Sequence, residues 1–549
     1  MSVVATIVGL GALAATAWLG SGDHPRSGIR RPSLPPPGRR MPPPARRGRV
    51  RPHRRPGRPG WSARTGGSGR PRRWPMAAFR TGPARSGRGH LGDGSRWSGR
   101  GDLALLDGGP VRAGGPPGRL VLGRAGRRLV VAEPRQSVIV FGPTQSRKTS
   151  GFAVPAILRW QGPVVAASVK TDLVRDTVDW RRRQGNVWCI DPTGTTGLVA
   201  TSWSPLPASV TWPGARRMAA ALAEGGRQRA GSMEDAAFWY AAAAKLLAPL
   251  LFAAATGARP LDDVLRWLDT HEEGEVLDLL EATGVDAAVR AAIASFARDE
   301  RQRSSIYTTA ETVMEPFGDV LAPGSPPPGP AGDAGAPFDP ALLVSGSNTA
   351  YLCAPAHDQR RLAPLFVAAV RQVVEHVYDT VAATGRPLDP PLLVVLDEAA
   401  NIAPLDDLDG LASTAAGHGI QLVTVWHDLA QLTARYGPRA PTVVNNHRAK
   451  VYLAGISDPS TLEHASTLAG EAWTTESSTT SGGPGGSTRT DALARRPLVT
   501  PDGLRRIAPG EGLLIYGGLP PAHLTLQSWF EDPVLAARGR RREEVNVRR

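Results

Sequence analysis

The sequence predicts an α/β chain: a mostly parallel β-sheet with helices on both faces, interrupted by an all-helical insertion and preceded by a membrane anchor. Three observations carry this. Val138, Ile139, Val140 and Phe141 form an apolar run that meets Gly142, a polar turn, Lys148 and Thr149, then an apolar stretch ending at Ile157, Leu158, Arg159 and Trp160. That order is strand, loop, helix. A second apolar run, Pro391 to Leu396, ends in Asp397 and Glu398 without polar alternation, as expected of a strand covered on both faces in a parallel sheet. Between Trp212 and Pro323 strand signals vanish and apolar residues recur at helical spacing.

The first stretch follows the pattern G-x-x-x-x-G-K-[ST] of a phosphate-binding loop, with Gly142, Pro143, Thr144, Gln145, Ser146, Arg147, Lys148 and Thr149 in order. Successive backbone N–H groups would wrap the phosphates, and the helix N-terminus would add its partial positive charge. Lys148 would reach the β- and γ-phosphates of ATP, while the Thr149 hydroxyl would hold Mg²⁺. One position departs from the pattern. Arg147 stands where the loop ordinarily has Gly, and a side chain there restricts a turn that glycine makes freely. Its guanidinium is expected beside the phosphates, favouring ATP and retaining ADP.

The carboxylates supply the second half of such a site. Ligands of open α/β sheets bind at the C-terminal ends of the strands, where Asp397 and Glu398 fall. Asp397 is expected to hold Mg²⁺ through water, and Glu398 to orient or deprotonate the attacking water. A third element is expected where Gly419–Trp426 ends, with His427, Asp428 and Gln431 as the options for sensing the γ-phosphate.

Charge divides the chain sharply. Residues 21–100 hold 21 Arg and no Lys against Asp23 and Asp93, a local +19 within a whole-chain +16, which leaves about −3 for everything else. Arg, Pro, Gly and Ser dominate that segment, a composition that cannot bury enough apolar surface to order itself. It reads as a solvated basic arm attracting anionic lipid or nucleic acid, as a plain linker, or as a mis-started translation of GC-rich codons. Residues 3–19 are uncharged and mostly apolar, close to the length of a membrane span. No Lys or Arg precedes them, as a signal peptide would require. The arginines that follow place the C-terminal side in the cytoplasm. Cys189 and Cys353 each lie in an apolar strand-like run and fit a reducing compartment.

Taken in order, the expected units are an anchor (1–20), a disordered arm (21–100), a first part of a nucleotide-binding domain (101–204), a helical subdomain (205–322), a Pro/Gly linker (323–340), a second part (341–530) and a charged tail (531–549). Short strands are expected at 102–106, 118–123 and 128–133, with core strands at 162–168, 186–191 and 348–354. A helix is expected over 362–384 and another over 408–416. The insertion should contain helices over 238–252, 261–269, 272–283, 285–297 and 304–317. Residues 472–496, rich in Thr, Ser and Gly, are expected to form a mobile loop.

With the loop 142–149, the stretch Val169–Leu173, the run Leu396–Ile402, the segment Gly417–Leu432, Tyr436-Gly437 and Val444–Val451 in this order, the chain resembles the TraG/TraD-type conjugative coupling proteins of type IV secretion, in an actinobacterial-like form. The resemblance implies a RecA-like P-loop ATPase core with an all-helical subdomain, ATP and Mg²⁺ as cofactors, and a homo-hexameric ring at the cell membrane with the ATPase domain in the cytoplasm. It implies partners as well: DNA, single-stranded and relaxase-bound, together with relaxosome and secretion-channel proteins. Arg448 would then be placed to act as an arginine finger in a neighbouring subunit, or as a core-edge residue. His427 stands where many relatives carry Gln, and one apolar span is readable where relatives have two. The alternatives are a double-stranded DNA translocase of the chromosome-segregation kind and a nucleotide-binding scaffold with little hydrolysis.

Overall fold

A computed structural model describes residues 94–111, 115–227, 235–321, 337–482 and 486–539; the expected anchor, most of the arm and most of the Pro/Gly linker lie outside them. The strands are β1 (Asp107–Pro110), β2 (Val121–Ala125), β3 (Arg128–Val131), β4 (Val138–Phe141), β5 (Val164–Ser168), β6 (Val187–Ile190) and β7 (Thr349–Cys353). They continue as β8 (Leu392–Asp397), β9 (Ile420–Trp426), β10 (Ala449–Leu453), β11 (Glu471–Gly482), β12 (Gly486–Pro497), β13 (Glu511–Tyr516) and β14 (Ala522–Thr525). All but β11 and β12 join one sheet in the order β1-β3-β2-β14-β13-β10-β4-β9-β8-β5-β7-β6. From β10 to β6 every pairing is parallel. From β13 outward the pairings are antiparallel.

The apolar runs become strands because both of their faces are covered. Every residue of β4, β5, β7, β8 and β9 is buried. Alternate side chains feed two separate cores. Ile139, Phe141, Leu392, Val394 and Leu396 enter one, with the helix Gln359–Thr384 and the insertion. Val138, Val140, Leu393 and Val395 enter the other, with the helix Val154–Arg159 and the helix Thr171–Arg182. Such two-sided burial is the physical reason for continuous rather than alternating hydrophobicity. Cys189 and Cys353 are free and buried in β6 and β7, and burial pushes both thiols up, to about 11 and about 12.

The insertion contains Trp212–Gly226, Ala236–Thr256, Leu261–Thr270, Gly274–Ala282, Asp286–Phe296 and Glu300–Leu321. Its buried residues are continuous with the core on one sheet face. The insertion packs closely on the helix Gln359–Thr384 at Gly225, where a Cβ would fall 2.5 Å from Pro364 Cα. Ala236–Thr256 is the one helix among the described residues long and apolar enough to cross a membrane, and 67% of that window is buried in the protein.

Two expectations are corrected. Residues 104–106 form a 3₁₀ turn, with the strand beginning at Asp107. Residues 472–496 are not a loop: β11 and β12 form a twelve-residue antiparallel hairpin from Glu471↔Pro497 to Gly482↔Gly486. Its β-branched Thr residues suit a strand, and its described side chains are largely exposed, with Trp473 and Leu493 on the surface, so no buried alternation betrays it. Of the charged tail, the described residues 531–539 place Leu535 in the core shared with the helix Val154–Arg159, next to Trp529.

Candidate nucleotide site

The strand order places β9 between β4 and β8, and β5 beyond β8. In register, Phe141 pairs with Trp426, Val425 with Asp397, and Asp397 with Ser168. The phosphate loop, His427, the two carboxylates and Ser168 therefore meet at one edge, the C-terminal ends of parallel strands. Gly142 N–H donates to Trp426 C=O at 2.9 Å, tying the loop to β9.

The loop is a tight cradle. A Cβ on Gly142 would lie 2.5 Å from Ser146 Oγ, so glycine is required by space at that position. Ser146 Oγ is buried without a hydrogen-bond partner. Pro143 C=O accepts from Ser146 N–H at 3.3 Å, while Thr144 and Gln145 are exposed. Gln145 and Arg147 both adopt the left-handed conformation, each with φ +67°. Arg147 thus makes the turn that Gly ordinarily makes, at the steric cost of a Cβ. A π-helical turn over Lys148–Ala153 leads into the α-helix Val154–Arg159.

Lys148 is the cation of the site. It is 4% exposed, and its Nζ lies 3.2 Å from His427 Nδ1. An ammonium has only donors, so Nδ1 accepts and the imidazole proton sits on Nε2. Burial lowers the pKa of Lys148, opposed by Asp397 and Glu398. Burial and then Lys148 lower that of His427, which keeps the ring neutral. Of the three options at this strand end, His427 faces the loop lysine. Asp428 caps the following helix by accepting from Gln431 N–H, and Gln431 Oε1 accepts from His427 N–H.

Asp397 is 2% exposed. Its Oδ2 accepts from Thr149 Oγ1 at 3.1 Å and from Ser168 Oγ at 3.3 Å, while Oδ1 has no partner. Burial, opposed by Lys148 and the Thr149 hydrogen bond, raises its carboxyl to about 6. A buried oxygen without a donor, beside a hydroxyl, is the hard-oxygen chemistry that Mg²⁺ takes. Thr149 and Asp397 therefore fit that ion. Glu398 is half-buried at φ +71°, and its carboxylate has no hydrogen-bond or ion-pair partner among the described residues. A non-glycine residue held there stores backbone strain.

Two residues stand elsewhere than the sequence suggested. The Arg147 side chain is directed out of the cradle to Glu531, with Nη1 at 3.2 and 3.3 Å from its carboxylate oxygens. Arg448 precedes Ala449, which pairs with Val138 at the start of β4, so it lies at the opposite edge of the sheet from the loop. There it meets Glu133 at 2.6 Å and stacks 5.5 Å from the Tyr516 ring. Within its own chain Arg448 is an edge residue.

Residues 107–548 match the profile described as Type IV secretory system Conjugative DNA transfer. The chain belongs to this family. It is 26% identical over 459 residues to a conjugal transfer protein TraG of Escherichia coli, covering 73% of this chain and 68% of that protein. It is 24% identical over 423 residues to the TraG of Agrobacterium fabrum (strain C58 / ATCC 33970), covering 74% and 62%. Among solved structures, the plasmid coupling protein TrwB in complex with ADP and Mg²⁺ superposes with a TM-score of 0.58 at 17% identity, over 79% of this chain and 94% of that one. That likeness establishes the RecA-like fold.

Ser168 was missed at the level of sequence. Its hydroxyl bridges Asp397 and Lys170 N–H, a pairing created by the register of β5 on β8. The stretch Val169–Leu173 marked the neighbourhood without assigning a role. Glu531 was missed as well, because it approaches the loop from the far end of the chain.

Proposed function

We propose that this conjugative DNA-transfer family member hydrolyses ATP at the site above and couples that turnover to moving DNA into a type IV secretion channel. The observation that carries the reading is one strand edge bearing Lys148, Thr149, Asp397, Glu398 and His427 around a preformed loop. The loop N–H groups and the helix N-terminus would bind the phosphates, with Lys148 at the β- and γ-positions. Thr149 and Asp397 would hold Mg²⁺, whose charge neutralises the phosphate oxygens. Glu398, unpartnered, would accept the proton of the attacking water as the bond from γ-phosphorus to the ADP oxygen breaks. Neutral His427 would report the γ-phosphate through Lys148, and its Nε2–H has no acceptor among the described residues.

The finer reading follows the relatives. A hexameric ring, single-stranded relaxase-bound DNA as substrate, and a cell-membrane anchor in residues 1–20 are the arrangement we infer. TrwB has been solved with ADP and Mg²⁺, with an ATP analogue and with a GTP analogue, which supports a purine nucleotide with Mg²⁺ at this site. The test is ATP hydrolysis by the full chain with and without single- and double-stranded DNA. Stimulation by single strands supports the reading, preference for duplex supports the chromosome-type translocase, and no turnover supports a scaffold. Glu398→Gln should retain ATP binding and lose at least 100-fold in turnover, a general base contributing about 10² to 10⁴. Equal loss of binding would make Glu398 a structural residue.

A further inference from the structure

Adjacent residues of the phosphate loop point in opposite directions. Lys148 enters the site, whereas the Arg147 guanidinium turns outward over Gly510 to the carboxylate of Glu531. The outward path is prepared. A Cβ on Gly510 would lie 3.2 Å from Arg147 Nη1, and Gly510 itself adopts φ +87°. Glu531 Oε2 is oriented by Ser528 N–H at 3.2 Å within a capping box. The segment that carries it is fastened to the loop helix at three further points. Arg159 and Asp532 form a buried ion pair at 2.6 Å. Arg538 Nη1 donates to Leu158 C=O at 2.8 Å, and Ser150 Oγ lies 3.5 Å from Ser528 Oγ.

We propose that Glu531 is a positioning residue for nucleotide turnover: by holding the Arg147 guanidinium on the C-terminal segment, it leaves Lys148 as the one loop cation at the phosphates. The inference rests on the nucleotide-site reading above. A released guanidinium, with its fixed fork of donors one residue from Lys148, is a phosphate ligand. It would add attraction to the product as much as to the transition state, and such uniform tightening does not raise the rate. The Arg147–Glu531 pair is about one-third exposed on each side, at 35% and 39%. Exposed pairs are weak, so the clasp restrains the guanidinium without sequestering it, and the expected effects are correspondingly moderate.

The experiment is a double-mutant cycle on the full chain, with Glu531→Gln, Arg147→Gly and the combination, reading the affinity and dissociation rate of a fluorescent ADP analogue with Mg²⁺. Gln keeps an oxygen that can cap Ser528 N–H, so the turn that carries it is preserved, and thermal melts check each variant. Glu531→Gln should tighten ADP about two- to five-fold, the range an exposed pair supports, and slow its release equally. In the Arg147→Gly background the same change should do nothing. Unchanged or weaker ADP affinity in Glu531→Gln, or an equal shift in both backgrounds, overturns the inference. A parent protein that binds no ADP overturns the nucleotide-site reading beneath it, so the two failures are distinct.

Discussion

Asp397→Asn tests the electrostatics of the site most directly, because its effects on stability and on turnover have opposite signs. Burial raises the Asp397 carboxyl from 3.8 to about 6. Between those values the folded chain binds the proton that the unfolded chain has released. Stability contributed by this group is therefore complete below pH 3.8 and is lost as pH rises through 6. At 1.36 kcal/mol per pH unit the loss is about 3 kcal/mol, fully expressed at pH 7. An Asn of the same shape carries no charge to desolvate. We expect Asp397→Asn to melt several degrees higher than the parent at pH 7.5, with the advantage vanishing towards pH 4. Turnover should fall by more than 100-fold, because the buried oxygen beside Thr149 is no longer an anion. The parent, in turn, should gain kcat/KM as pH rises through about 6, and the variant should lack that limb. The assays are calorimetric melts in the absence of nucleotide and steady-state hydrolysis across pH 5–8. A variant that melts lower than the parent at pH 7.5 would show that the Asp397 charge is compensated in the folded chain, refuting the reasoning.

Lys148→Ala should reduce ATP turnover at least 100-fold, from the roughly 3 kcal/mol that one oriented charge stabiliser supplies, in a variant that still folds cooperatively. Turnover within tenfold of the parent, in a variant with a cooperative melt, refutes the assignment. Asp532→Ala should destabilise by about 3–5 kcal/mol, because it strands the Arg159 guanidinium in a buried position and removes the acceptor for Val534 N–H and Leu535 N–H. An Asp532→Leu/Arg159→Met pair should recover much of that loss in the melt; no recovery would locate the effect in the cap alone.

The site was legible where its chemistry is local. A strand, Gly142, Lys148 and Thr149 lie within twelve residues, and Asp397 follows its strand directly, so periodicity and residue type together located both halves. What escaped depends on pairing across the sheet. Ser168 contributes only because β5 stacks in register on β8. The hairpin of β11 and β12 buries no apolar stripe among its described residues that would reveal it. Arg181 sits on an amphipathic helix and reads as a solvated charge, yet it is fully buried. Its donors go to Thr349 Oγ1 at 2.6 Å, Trp160 C=O at 2.8 Å, Gly162 C=O at 2.7 Å and Ser347 C=O at 3.0 Å. The partners come from the loop before β5 and from the start of β7 and the turn before it, and none is predictable from spacing. The sequence places Arg147 beside the phosphates, because its partner, Glu531, lies at the other end of the chain.

The site combines three choices that each oppose folding: an ammonium buried at Lys148, a carboxylate buried with a vacant oxygen at Asp397, and Glu398 at φ +71°. Such features persist only where the surroundings over-determine them. Two parts of this structure do so. β4, β9 and β8 are buried along their whole length, so none of the strand ends can shift without opening the core. The turn after Glu398 is held by charge as well. Glu224 accepts from Arg371 at 2.8 Å and from Asp406 N–H at 2.6 Å, Asp406 pairs with Arg435 at 2.6 Å and with Arg227, and Arg371 also reaches Asp407. These pairs join the first insertion helix, the helix Gln359–Thr384 and the helix after His427 to the segment that follows the carboxylates. Burial lowers the Arg371 pKa, but its hydrogen bonds to Glu224 and Asp407 outweigh that and raise it, so charge is favoured in this cluster where it is not in the site. Stability is thus concentrated one layer behind the chemistry. A ligand that binds only the folded chain then adds to it by mass action, and a polyanion with Mg²⁺ would relieve both buried charges together.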